Sequence, residues 1–337
     1  MPGFRSHYFF GKNTYDALEN DGLPESVRKH PTVFFLGEQG PDMFFYSPQA
    51  HLFYKKNIGM AMHSTNVNKT FEGLLIAREK MAGESAGAQE KSEREDIDIA
   101  DAYILGFMGH YTLDTNCHPY ISWRQEKLKY AGRFTESFGV HVLLETDIDN
   151  DNVRRFVGVE PSQFNHYDTI KVTKHERAVV AHIVTEAINY AFPDQGQKEK
   201  HVRSAITMSR NLFKWMVDKR GVKKKMVRLF DKIFFKHIFL SAVISNDHLH
   251  AYDDPCNMNH NTWVNPWDES ISSEKDFYQL MDAAFVSYKK RIELYRRWTE
   301  EVTEEYKKAL LTNLGDNSYD SGLPWDKTLE ISRAAGI

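Results

Sequence analysis

The 337-residue chain predicts an all-α fold, and three observations carry that prediction. Apolar residues recur at helical spacing through most of the chain. Strand signals are scarce: β-branched residues are dispersed, no Asn-Gly pair occurs, and Asp21-Gly22 follows a helical stretch rather than joining two strands as a hairpin turn. The long segment "SEKDFYQLMDAAFVSYKKRIELYRRWTEEVTEEYKKALL" is rich in good helix formers.

In order along the chain, "TYDALENDG" reads as a helix capped by Thr14 and closed by Gly22. A second helix runs from a Ser64/Thr65 cap in "STNVNKTFEGLLIAREKMAG" towards Gly83. The polar, small-residue stretch 81–96 reads as a surface loop or local insertion. "IDIADAYILGFMGHYTLDTNCH" is apolar on several faces, as a central buried helix is, and Pro119 is expected to end it. "SFGVHVLLETDIDNDNVRRF" and "HERAVVAHIVTEAINYAF" come next as helices, the second stopping before Pro193. No internal repeat of fixed period is visible.

Composition narrows the function. A hydrophobic fraction of 41% suffices for a sizeable core. A net charge of −4 argues against nucleic-acid binding driven by bulk charge. Cys117 and Cys256 are the only cysteines, so no disulfide framework is implied and a reducing compartment is comfortable. With no charged leader and no apolar run of spanning length, the expected location is cytoplasmic.

The chemistry concentrates in "GHYTLDTNCHPY". On a helix, His110, Asp114 and His118 share one face, drifting only about 40° per step of four. His141 and Glu145 in "GVHVLLETD" repeat that spacing. His7 in "FRSHYFFG", His63 in "IGMAMHSTN", and Asp42 after the Gly-Pro turn of "LGEQGPDMFFY" add donors among apolar neighbours such as Phe44, Phe45 and Tyr46. A lone i,i+4 pair is ordinarily a surface pair. Here the flanking "ILGFMG" and "GVHVLL" are apolar, and burying these groups unpartnered would cost several kcal/mol each. A cluster of divalent cations removes that cost.

Taken in order, "MPGFRSHYFFG", "LGEQGPDMFFY", "GMAMHSTN", "GHYTLDTNCHPY" and "HVLLETDID" resemble the zinc-dependent phospholipases C of bacteria. More distantly they resemble the single-strand nucleases of the S1/P1 type. "WVNPWD" and "NSYDSGLP" are similar less specifically. The resemblance implies a phospholipase C/P1 nuclease-like helical bundle with up to three Zn2+ inside it. It implies one all-α domain over residues 1–337, with a metal-site core in 1–160 and a helical remainder in 161–337. His7, with the terminal amine of Met1 or Pro2, resembles the ligand set of one zinc. His63, His110 and Asp114 resemble that of a second, with Asp114 bridging to the first. His118, His141 and Glu145 resemble that of a third, and Asp42 the carboxylate that orients or deprotonates the attacking water beside the metal pair.

Two departures stand out. The Asp114–His118 spacing is shorter than in the secreted enzymes of the family, and a Met-Pro start replaces their processed amine. The site nearest His7 is therefore expected to be the weakest.

Such a site implies a phosphoesterase that hydrolyses a phospholipid head-group phosphodiester, or another phosphate ester, by in-line attack of a zinc-held hydroxide. Its activity is expected to fall below about pH 6.5, where free histidines protonate. A nuclease or 3′-nucleotidase on the same scaffold is the alternative, and a metal-stabilised binding protein without turnover is another. A phosphohydrolase built on an adjacent His-Asp pair is set aside because no such dipeptide occurs. No serine or cysteine nucleophile elbow is recognisable.

"HLHAYDDPCNMNH" gathers His248, His250, Asp253, Asp254, Cys256 and His260 without a standard zinc spacing, and reads as a polar loop near the site mouth. Trp263, Pro266 and Trp267 read as packing or a substrate rim. "KRGVKKKMVRLFDKIFFKHIFLSAVI" alternates basic with apolar residues. It is either a solvated face opposite a buried one, or a helix in transient contact with an anionic membrane surface.

Overall fold

The computed structural model describes residues 3–45, 57–84, 90–130, 137–236, 238, 240–248 and 250–335. Its helices are α1 (Phe4–Leu18), α2 (Glu25–Lys29), α3 (Pro31–Gly37), α4 (Ile58–Ser64), α5 (Val67–Glu84), α6 (Glu90–Tyr130) and α7 (Ser137–Val157). They continue with α8 (His166–Thr169), α9 (Lys174–Ala191), α10 (Glu199–Trp215), α11 (Val222–Phe234), α12 (Phe277–Glu300), α13 (Glu304–Leu314) and α14 (Trp325–Ala335). Among the described residues four short strands interrupt them. β1 (Val217–Asp218) pairs parallel with β2 (Ser245–Asn246), and β3 (Trp263–Asn265) antiparallel with β4 (Asp268–Ser273). The fold is all-α, as the periodicity predicts.

α6 is the axis of the bundle. Ile99, Tyr103, Ile104, Phe107, Met108, Tyr111, Leu113 and Tyr120 are buried on all its faces, and α3, α5, α7, α9 and α12 pack around it. A helix that is apolar all round has no solvated side, so it takes the centre. Pro119 does not end it. The helix continues to Tyr130, and Gly322 lies against the Thr115 carbonyl that Pro119 leaves without its helical donor. Nor is stretch 81–96 a loop throughout: residues 81–84 finish α5 and residues 90–96 begin α6, while 85–89 fall outside the described residues.

α3 crosses α6 at backbone contact. A Cβ on Gly106 would stand 2.1 Å from the Phe34 carbonyl oxygen, and one on Gly37 would stand 2.3 Å from that of Tyr103. This crossing seats the turn after α3 directly over the middle of α6.

The first helix begins earlier than its sequence suggests. Thr14 is not its cap but a buried residue inside it, because α1 starts at Phe4. The signal for that start lies on α7. Asp149 accepts hydrogen bonds from the Arg5 N–H (3.0 Å), the Ser6 N–H (2.8 Å) and the Ser6 hydroxyl (2.7 Å). A carboxylate at this position satisfies the orphan N–H groups of the first turn and the positive end of the helix dipole. The Arg5 guanidinium then donates to the Ser245 hydroxyl (2.7 Å) and to the Asn150 side-chain oxygen (3.2 Å). Ser64 and Thr65 do not cap α5 either. Ser64 closes α4 and α5 begins at Val67. The long C-terminal pattern divides into α12 and α13 because the Thr303 hydroxyl accepts from the Tyr306 N–H and starts a new helix.

The Asp149 contact yields a prediction. Asp149→Ala leaves the buried Arg5 charge without its carboxylate and should cost about 3–5 kcal/mol of stability in urea denaturation. A cost below about 1 kcal/mol would mean that α1 docks by its apolar face alone.

Candidate metal centre

His110, Asp114 and His118 climb α6 at four-residue steps, and all three are fully buried. α1 brings His7 to this row, with Nε2 3.2 Å from Asp114 Oδ1 and its ring stacked on His110 at 4.0 Å. The 3-10 turn Gly40–Phe44 brings Asp42. Gly40 has φ +48°, and a Cβ there would lie 2.5 Å from the His110 ring, so only glycine admits the approach. α4 brings His63, whose Nε2 lies 3.0 Å from Asp42 Oδ1 and 3.6 Å from Asp114 Oδ2. His110 Nε2 lies 3.1 Å from Asp114 Oδ2 and 3.6 Å from Asp42 Oδ1. One turn further along α6, His118 meets α7. Its Nε2 stands 3.8 Å from Glu145 Oε1, and His141 Nε2 stands 2.8 Å from the same oxygen.

Among the described residues, three groups thus hold donor atoms within 4.8 Å of one another: His7, His110 and Asp114; Asp42, His63 and His110; and His118, His141 and Glu145. The Met1 or Pro2 amine and Tyr46 lie outside the described residues.

The ring nitrogens that face away from the cluster decide what the cluster can hold. His63 Nδ1 is 2.7 Å from the Gly59 carbonyl oxygen, His110 Nδ1 is 3.0 Å from that of Glu38, and His118 Nδ1 is 3.0 Å from that of Tyr319. His141 Nδ1 is 2.8 Å from Gln125 Oε1. A carbonyl oxygen only accepts, so each Nδ1 carries the proton and donates. In the neutral ring, Nε2 is then a lone pair. These lone pairs point at carboxylate oxygens, which are also lone pairs. Nε2 of His63, His110 and His118 and both oxygens of Asp42 and Asp114 are buried without a hydrogen bond. Opposed acceptors at about 3 Å repel unless a proton or a metal cation lies between them, and two ligands on one tetrahedral zinc are spaced about 3.3 Å apart. The residues fit zinc.

Titration agrees with the geometry. Burial lowers His7 to about 3 and holds His63 and His141 below the ordinary imidazole range. These rings therefore stay neutral to lower pH than free histidine, which protonates at about 6.5. Burial pushes Glu145 up to about 8 and Asp42 well above the carboxylate range. Burial acts in the same sense on Asp114, but His110 and His7 outweigh it and hold that carboxyl below its usual range. The oxygens of Asp114 are divided, Oδ1 towards His7 and Oδ2 towards His110 and His63. That is the arrangement a bridging carboxylate needs.

Several residues that shape the centre carry no signal strong enough to find them in the sequence. Tyr319, buried against His63 at 4.7 Å, and Asp320, 3.6 Å from His118 Nδ1, arrive from the segment before α14. "NSYDSGLP" is their one trace in the sequence. Glu38 and Gln125 orient His110 and His141. The cluster edge is open at the third group, where the His141 side chain is 20% and that of Asp320 46% exposed. The polar loop 248–260 forms no such group among the described residues. Asp254 there accepts from the Met258 and Asn259 N–H groups, and the Pro255 carbonyl receives the Tyr120 hydroxyl. Trp263 and Trp267 pack, donating to the Lys275 carbonyl and the Ser332 hydroxyl.

A helical bundle that buries three such donor groups offers sites that could hold divalent cations. The family model of zinc-dependent phospholipase C matches residues 6–213, a span that contains every one of these donors, and the chain belongs to that family. Membership supports a zinc-dependent hydrolase of phospholipase C type. No curated protein and no solved structure matches the chain.

Gln125→Leu removes the acceptor that fixes the His141 ring. Competition with a chromophoric chelator should then show zinc held about 10–100-fold more weakly at one site. Unchanged affinity at every site would separate His141 from zinc binding.

Proposed function

We propose that the chain is a zinc-dependent phosphoesterase that cleaves the head-group phosphodiester of a phospholipid. In this reading the whole chain is one all-α unit built around residues 1–160. The observation that carries it is the set of buried Nε2 and carboxylate lone pairs turned on one another around a common interior, in a chain of this family.

His7, His63, His110 and Asp114 would hold a pair of zinc ions, and His118, His141 and Glu145 a third. Zinc bound there supplies Lewis-acid polarisation of a phosphoryl oxygen and lowers the pKa of water towards about 7. Asp42 lies at the pair with both oxygens free of hydrogen bonds, so it is placed to orient the attacking water and to accept its proton. Glu38, Gly59, Tyr319 and Gln125 keep the imidazoles in the tautomer that ligates. The half-open edge at His141 and Asp320 gives a phosphate ester its way in, while the leaving diacylglycerol remains outside the dry interior.

The test compares diacylglycerol release from phospholipid with hydrolysis of nucleoside 3′-phosphates and single-stranded DNA by zinc-loaded protein. Diacylglycerol release that a chelator abolishes is expected, and Asp42→Asn should lower it by about 10²–10⁴-fold. Nucleotide hydrolysis without diacylglycerol would replace the substrate class, and no turnover of any phosphate ester would leave a metal-stabilised binding protein.

A further inference from the structure

α11 is packed inside out. Val222, Met226, Leu229, Phe230, Ile233 and Phe234 recur at steps of four and three, forming one apolar stripe. Every one of them is exposed, Met226 at 68% and Phe234 at 66%. The residues α11 turns towards the protein are polar. Lys224 and Asp231 are its buried side chains. Asp231 accepts from the Leu240 and Ser241 N–H groups, and Asp218 accepts from the Lys224 N–H. Lys223 Nζ donates to the Trp215 and Val217 carbonyls. The neighbouring α10 follows the ordinary rule, burying Val202, Ile206 and Phe213. Polar anchors at both ends of α11 thus hold its apolar face out in water, which the hydrophobic effect opposes unless something covers that face.

Charge identifies the cover. Stretch 214–236 carries nine lysines and arginines against two aspartates in a chain whose net charge is −4. Both aspartates, Asp218 and Asp231, are buried, while Lys219, Arg220, Lys225, Arg228, Lys232 and Lys236 are exposed around the stripe. Exposed aliphatic and aromatic residues rimmed by lysine and arginine match the headgroup boundary of an anionic bilayer, where the stripe enters the acyl edge and the rim meets lipid phosphates. A second copy of this chain would set the same basic rim against itself. No helix among the described residues is long and apolar enough to cross a membrane, so the contact is with the surface.

The position is apt. The segment after α11 packs on α7 beside the third donor group: the Thr146 hydroxyl, one residue from Glu145, donates to the Ala242 carbonyl at 2.9 Å. α11 also lies beyond residue 213, where the family match ends.

We propose that α11 is an interfacial docking element that seats the protein on anionic lipid surfaces next to the opening of the metal centre. The proposal rests on the phospholipid reading for its purpose, but binding is measured without turnover, so the two fail separately.

The test is sedimentation of the full zinc-loaded chain with phosphatidylglycerol vesicles and with phosphatidylcholine vesicles, alongside analytical ultracentrifugation without lipid. The expected result is binding to phosphatidylglycerol that weakens as salt rises. Met226→Ser/Leu229→Ser/Ile233→Ser should reduce it at least about tenfold, as should Lys225→Gln/Arg228→Gln/Lys232→Gln. Melting temperatures should be unchanged, because these side chains touch solvent. Binding without diacylglycerol release supports docking while removing the phospholipase reading. Wild type that leaves phosphatidylglycerol vesicles unbound overturns the proposal. So do variants that bind as wild type does, or a lipid-free dimer that the serine variant dissociates in place of vesicle binding.

Discussion

Lone pairs facing lone pairs inside a dry bundle are the constraint on which this structure depends. His63, His110 and His118 each commit Nδ1 to a main-chain carbonyl, which leaves Nε2 as an acceptor aimed at a carboxylate. Buried polar groups without partners cost about 1–3 kcal/mol each, more when charged. The described residues leave many such atoms in one small region. A metal cation held between them would convert each repulsion into a bond and so couple its binding to the cohesion of the interior. The packing of α1, α3, α4 and α7 around α6 can be understood as the geometry that brings these donors to a common centre.

The supporting features act at a distance from the chemistry. The α3–α6 crossing at Gly37 and Gly106 places the Asp42 turn above His110, and Gly40 lets the backbone rest on that imidazole. Asp149 of α7 caps the first turn of α1 and thereby fixes His7 against Asp114. Each is a contact between segments remote in sequence, and each aligns a donor rather than providing one. Those donors all come from residues 7–145, whereas Tyr319 and Asp320 enter from near the other end of the chain to close the centre.

The grouping of five of these side chains was legible because their spacing is local, whereas His7, Asp42 and His63 were assigned to the set only through the family resemblance. His110, Asp114 and His118, or His141 and Glu145, need only the helical repeat to share a face, and the structure gathers them with His7, His63 and Asp42. What could not be read was decided by partners elsewhere. The start of α1 is set by Asp149, 144 residues from Arg5, whereas Thr14 merely looks like a cap. Pro119 does not break α6, because the surrounding bundle holds that helix on both sides of it. The basic and aromatic α11 shows its amphipathic pattern plainly, but which face looks outward is tertiary information, carried by Lys224 and Asp231. Function follows the same division: family membership gives a zinc-dependent hydrolase of phospholipase C type, and the proposed lipid substrate and its route rest on the open edge and the inverted helix.

The most direct measurement is anomalous diffraction at the zinc edge from crystals of the zinc-loaded chain. The account predicts peaks between His7 and Asp114, among Asp42, His63 and His110, and among His118, His141 and Glu145, each in contact with Nε2 or a carboxylate oxygen. Crystals free of anomalous signal there, with these nitrogens protonated and hydrogen-bonded to the carboxylates, would contradict it.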